Sequence, residues 1–211
     1  MENTVLIIAA LLTSTLSAMI GMGGGIILLG LMAMLIPHGY IVIALHGMIQ
    51  LIGNGTRTYV FKNAIKKEIV IKYFSGSLIG LSISSIIVLI LIQLYNVETA
   101  NEIRFDYLKP LIGIYIIWFI YLRKKNQLDK SGNFFLVGII GGLTSIFIGA
   151  VGPLIAPFFL RDQLTKENII ANKAACQIIT HLGKVPIFVY FFNLNYFEYS
   201  TILFPLMIWY I

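Results

Sequence analysis

Apolar residues fall in seven long runs, at 5–36, 41–61, 69–94, 105–122, 133–160, 168–192 and 197–211. Most reach or pass the roughly 20 residues a helix needs to cross the hydrocarbon core of a bilayer. Two runs, 5–36 and 133–160, are too long for one upright span, and both are interrupted. The first breaks at Gly21-Met22-Gly23-Gly24-Gly25, the second at Gly149-Ala150-Val151-Gly152-Pro153. Two other runs carry polar residues at helical spacing. His46, Gln50, Asn54 and Arg57 stand at i, i+4, i+8 and i+11. Lys173, Gln177, His181 and Lys184 repeat that spacing in the second half of the chain, each at the same offset from its counterpart. At 100° per residue each set falls within an arc of about 80° on one helix face. The pattern predicts an all-α polytopic membrane protein with two inward-facing polar stripes.

Gly149 stands to Gly21, and Ser145 to Ser17, at an offset one residue longer than that of the stripes. A single loop insertion absorbs that difference. The expectation is one transmembrane domain, 1–211, made of two structural repeats, 1–125 and 130–211, each beginning with a Gly-broken segment. By the same logic run 197–211 matches 69–94 and nothing matches 105–122, so a chain truncated at its C-terminus is expected. The first run lacks the basic flank of a signal peptide and stays apolar too long to be one.

Composition agrees with the pattern. The chain has 58% hydrophobic and 11% charged residues, against roughly 25% charged in average soluble domains. Its mean hydropathy is +0.90. The net charge of +6 does not point to nucleic acid, because most Lys and Arg residues lie at the ends of apolar runs, where the positive-inside bias puts them. Trp118, Tyr121 and Trp209 are placed as interfacial anchors. The single Cys176 excludes an intramolecular disulfide and reads as core packing.

Each broken segment is either one kinked span or a re-entrant hairpin of two half-helices. Lys62, Lys66, Lys67, Lys72, Arg123, Lys124, Lys125 and Lys130 mark cytoplasmic ends, and the acidic stretch with Glu98, Glu102, Arg104 and Asp106 faces out. If 133–160 is a single span, Arg161 and Lys166 fall outside, for eight basic residues in and four out. If it is a hairpin the split is ten to two, which the bias favours. The hairpin inverts the second repeat relative to the first; the single span leaves the repeats parallel.

The chemistry lies in signs. A Gly-rich break frees backbone N–H groups and starts a new half-helix, whose N-terminus suits an anion. Gly23, Gly24 and Gly25 provide this in the first repeat, and Gly152 and Pro153 in the second. All nine carboxylates sit in loops or near run ends, so Arg57 and Lys184 have no evident counter-charge within the spans. A lone cation at a helix centre costs roughly 2.5–3.5 kcal/mol on insertion scales, and a bound anion relieves it. The stripes therefore point to anion transport, with Gln50, Asn54, Arg57, Gln177, His181 and Lys184 as candidate contacts.

Blander readings stand beside these. Gly76/Gly80 read as helix packing, and packing is the alternative reading for Gly21/Gly25 and Gly138/Gly142, which lie in the two broken segments. Arg57 is near enough to its run end to snorkel. Lys173 reads as interfacial, and His46 and His181 as either proton carriers or neutral hydrogen-bonding groups. No metal-ligand, catalytic or cofactor motif is present, so no catalytic residue, metal or cofactor is expected.

The first motif, Gly21-Met22-Gly23-Gly24-Gly25, followed by a basic second span, resembles the TauE/SafE sulfite exporter family. Gly149-Ala150-Val151-Gly152-Pro153 with the Lys184 helix looks like its repeat, and the resemblance covers essentially the whole chain. It implies a polytopic transporter of sulfite, sulfonates or related small sulfur and organic anions. It also makes the break glycines signature positions, and Arg57 and Lys184 candidate anion contacts. The expected function is secondary transport by alternating access, in a multi-pass protein of the plasma membrane. Its expected partners are a small anion and the lipid bilayer, with no nucleic acid and with homo-oligomers left open. A passive anion channel is the alternative; a membrane-embedded enzyme and a non-transporting scaffold fit less well.

Overall fold

The computed structural model describes residues 2–20, 24–103, 108–118, 121, 133–160 and 164–209, and of 2–4, 16–20 and 209 the backbone alone. Gly21, Met22 and Gly23, the basic residues Arg104, Arg123, Lys124, Lys125, Lys130 and Arg161, and the side chain of Ser17 lie outside these. Among the described residues the regular structure is entirely helical: α1 (Glu2–Ile20), α2 (Gly24–Leu35), α3 (Gly39–Val60), α4 (Lys67–Tyr95), α5 (Leu108–Ile117), α6 (Phe134–Phe147), α7 (Gly152–Phe159), α8 (Lys166–Phe191) and α9 (Ser200–Trp209).

The helix ends follow local chemistry. Thr165 and Asn168 form a capping box that starts α8, satisfying two otherwise orphaned donors. The Asn133 side chain accepts from Phe135 N at 3.0 Å to start α6. Asn96 ends α4 in the left-handed region at φ 51°, a conformation that asparagine tolerates. The run 133–160 divides into α6 and α7 around Gly149, whose φ of +82° suits glycine. The Tyr115 hydroxyl of α5 donates to Ala150 O at 3.0 Å and fastens this break.

Apolar side chains cover the outside as well as the core, and most stripe residues are buried among them. Ile71, Phe74, Leu78, Ile86 and Ile90 of α4 are exposed, while His46, Gln50, Asn54, Gln177, His181 and Lys184 are buried. Water would penalise such a surface and hydrocarbon accepts it. α4 and α8 are long and apolar enough to cross a membrane. α3 has 22 residues and carries the first stripe.

Two contacts fix the architecture around the stripes. α4 and α6 pack through glycines: a Cβ added at Gly76, Gly80, Gly138 or Gly142 would come to 2.8 Å or less from backbone atoms of the other helix. The packing role expected for Gly76/Gly80 is therefore what the structure has, Gly138/Gly142 of the broken segment are their partners, and Ser84 Oγ adds a bond to Leu143 O at 3.0 Å. α1 and α2 lie side by side. Leu6, near the start of α1, lines one apolar cavity with Leu35 and Ile36 at the end of α2.

Candidate functional site

α3 and α8 cross antiparallel, each with its polar stripe toward the other. At one end of the crossing Lys184 Nζ donates to Ile43 O at 3.0 Å, and the His46 and His181 rings meet edge-on with centroids 6.5 Å apart. At the other end Lys173 lies within electrostatic reach of Arg57. Beyond it the turn after α3 is tied to the start of α8. Asn168 Nδ2 and Asn172 Nδ2 donate to Ala64 O at 2.8 and 3.2 Å, and Lys66 N donates to Asn172 Oδ1 at 2.8 Å. Positions that rise along α3 thus meet positions that fall along α8.

The glycine breaks reach the same place. His46 Nε2 donates to Gly25 O at 2.8 Å, so the ring joins the first turn of α2 to α3. The Gln50 amide closes on the same ring nitrogen at 3.3 Å. The Gly149 backbone also lies near the His46 ring, whose Nδ1 has no hydrogen-bond partner. His46 therefore sits between the two breaks. Gly25 faces the Gln50 amide, and Gly152 faces the Gln177 amide, whose Nε2 would lie 2.7 Å from an added Cβ. The step from glycine to glutamine along the chain is the same in both halves.

Lys184 is the deepest charge, with no exposed surface. Its ammonium has the Ile43 carbonyl for a partner, and Gly47 leaves it room: Nζ lies 2.7 Å from where a Cβ at that position would be. Among the described residues the one salt bridge joins exposed Lys72 and Glu68. No described acid reaches Lys184. A buried ammonium held by one carbonyl is expensive. His181, 1% exposed, has neither ring nitrogen partnered, and the buried Asn54 Nδ2 has no partner either. Unmet buried donors cost about 1–3 kcal/mol each, which a hydrogen-bond acceptor at this place would offset. Among the described residues no group of three His, Cys, Asp or Glu side chains is placed to hold a metal ion.

The structure thus gathers Gly25, Gln50, His181 and Lys184 with His46 at the α3–α8 crossing, and sets Gly152 against Gln177. Gly24 and Pro153 lie in the first turns of α2 and α7, and Gly23 is outside the described residues. Arg57 is half-buried at the far end, with Nη1 3.4 Å from Asn54 Oδ1. Lys173, read as interfacial, is 7% exposed, close to Asn168 and Asn172, where the turn Lys62–Ala64 meets α8. Gly47, Tyr115 and Asn172 escaped notice in the sequence. The glycine beside His46 was the one available signal, since it leaves a gap on the stripe face.

No curated protein and no solved structure matches the chain. Residues 6–211 match the family model described as Sulfite exporter TauE/SafE. With a buried ammonium and unpartnered donors inside an apolar helical shell, that match covers the site and nearly every residue around it, and the chain belongs to the TauE/SafE sulfite exporter family.

Proposed function

We propose that the protein is a secondary transporter of small anions, with sulfite, sulfonates or related sulfur and organic anions as cargo, working by alternating access in the plasma membrane. The observation that carries this reading is Lys184: a wholly buried ammonium whose hydrogen bond goes to a backbone carbonyl, beside an imidazole with two unmet nitrogens. A cation carrier would be expected to place carboxylates there. The binding site comprises Gly24, Gly25, Gln50, Asn54, Arg57, Gly152, Pro153, Gln177, His181 and Lys184, with Gly23 completing the first glycine run.

We further infer two inverted repeats, each opening with a re-entrant pair of helices, within one transmembrane domain. The antiparallel crossing supports this. His46 and Lys184 share one end, Arg57 and Lys173 the other, and shifting by the stripe offset carries either pair onto the other. The glycine–glutamine contacts obey the same offset: Gly25 with Gln50, Gly152 with Gln177. At these contacts the stripe offset holds with no loop insertion. A two-fold axis in the membrane plane produces such exchanges and is common among transporters.

The test is anion flux in proteoliposomes. Lys184→Gln and Arg57→Gln, expressed and folded at wild-type levels, should each abolish flux. Wild-type flux in both variants would sink the proposal.

A further inference from the structure

Arg57 and Lys184 stand too far apart to hold one small anion. Lys184 Nζ is anchored on α3 by the Ile43 carbonyl at 3.0 Å and by the space over Gly47. Arg57 Nη1 lies 3.4 Å from Asn54 Oδ1. By helical rise, Gly47 to Asn54 is about 10 Å and Ile43 to Asn54 about 16 Å. Two hydrogen bonds laid end to end span about 6 Å, and an oxyanion such as sulfite adds only the distance between two of its own oxygens. An anion held by Lys184 therefore leaves Arg57 out of reach.

The groups around Arg57 make a set of their own. A guanidinium only donates, so the Asn54 atom that faces it is the amide oxygen and the nitrogen is left over. That nitrogen is buried without a partner, on a side chain 1% exposed. Lys173, 7% exposed, comes within electrostatic reach from α8. The Lys184 end is built alike. There a cation of α8 stands one turn from the unpartnered His181, and His46 approaches from α3. At the other end a cation of α3 stands one turn from the unpartnered Asn54 nitrogen, and Lys173 approaches from α8. Gln50 and Gln177 lie between the two ends, each against a break glycine, Gly25 or Gly152.

We propose that Arg57, Asn54 and Lys173 form a second station for a small oxyanion, separate from the one at Lys184 and able to be filled at the same time. This rests on the anion transport proposed above and divides its site in two. The second station lies beside Lys62, Lys66 and Lys67, at the end that the positive-inside bias puts in the cytoplasm. Arg57 is half-buried, so solvent screens its contacts, while Lys184 acts in a dry interior. An anion already at Lys184 also repels a second one. The second station is therefore weaker by about a hundredfold, the scale on which an ion contact fades from protein-like to water-like surroundings. Cargo passes both stations, so the loss of either cation stops flux.

The experiment is equilibrium binding of radiolabelled sulfite to the purified full chain over a wide concentration range. Two phases are expected, with two anions per chain at saturation. Arg57→Gln should remove the weak phase and keep the tight one, weakened at most about tenfold by the long-range Coulomb loss. Arg57→Lys keeps the charge and should keep both phases. Lys184→Met should remove the tight phase and leave the weak one. Asn54→Ala should weaken the weak phase by about tenfold, the scale of one hydrogen bond to a charged group. At sulfite tenfold above the tight constant, a station a hundredfold weaker is about one-tenth filled and hardly moves the melting temperature, so melting follows Lys184 alone. A single phase of one anion per chain, lost in both Arg57→Gln and Lys184→Met, would overturn the second station and leave anion transport intact, as would a weak phase that survives Arg57→Gln. No sulfite binding at all would overturn both.

Discussion

Lys184 and Gly47 share one space: the lysine ammonium lies 2.7 Å from where a Cβ on residue 47 would stand. The buried charge on α8 therefore keeps its place because α3 has no side chain opposite it. Gly47→Ala should leave the fold largely intact, since what must move is the end of a flexible side chain. It should still weaken anion binding by about ten- to hundredfold, the scale expected when a key group shifts by an ångström. Titration of the purified variant with sulfite, alongside its melting temperature, checks both halves of this expectation.

The glutamines give a paired test. Gly152→Ala pushes a methyl group into the Gln177 amide and should cost about 1–3 kcal/mol, as overpacking does. Gln177→Ala in the same chain should recover most of that loss. The resulting coupling energy should exceed about 0.5 kcal/mol, the lower end for residues in contact. Gly25→Ala with Gln50→Ala should behave alike. Additive losses in both cycles would show that these contacts do not form.

Lys184→Met should separate function from stability. Removing a buried, acid-free ammonium in favour of an apolar side chain of similar length is expected to raise stability, by about the 1–4 kcal/mol seen when buried ions are replaced. The same change should eliminate any rise in melting temperature on adding sulfite, because that rise requires binding to the native state. A variant that melts lower than wild type and still responds to sulfite would contradict both expectations.

The glycines of α4 and α6 should tolerate nothing larger. Gly80→Val and Gly138→Val drive side-chain atoms into the backbone of the facing helix. The yield of monodisperse protein in size-exclusion chromatography should collapse. Gly55→Ala and Gly113→Ala are the controls, since a Cβ there meets nothing within 4 Å, and both should elute like wild type.

Periodicity made some of this legible beforehand. The stripes, the two breaks and the small-residue pairs are visible because helical spacing assigns a residue to a face and glycine marks where helices bend or touch. Spacing does not say which face meets which. His46 could as well have opposed Lys173 as Lys184, and only the antiparallel crossing decides it. Gly47 matters through a lysine in the other half of the chain, which no local pattern encodes. Lys173 sits near the start of its apolar run, and burial there depends on a turn from the first half of the sequence. Asn172 has the same origin, for its carbonyl and amide partners, Ala64 and Lys66, belong to that turn and its exit.

The interlocked glycines also constrain how the molecule can move. α4 comes from the first half of the sequence and α6 from the second, yet at Gly76, Gly80, Gly138 and Gly142 their backbones touch directly. At those four positions the seam has no rotamers to adjust, which makes it stiff. α1, from the first half, likewise leans on α9 from the second. Both contacts join helices from different halves of the sequence, so neither half packs as a body on its own. The α3–α8 crossing differs, for there lysine, histidine and glutamine side chains stand between the two helices.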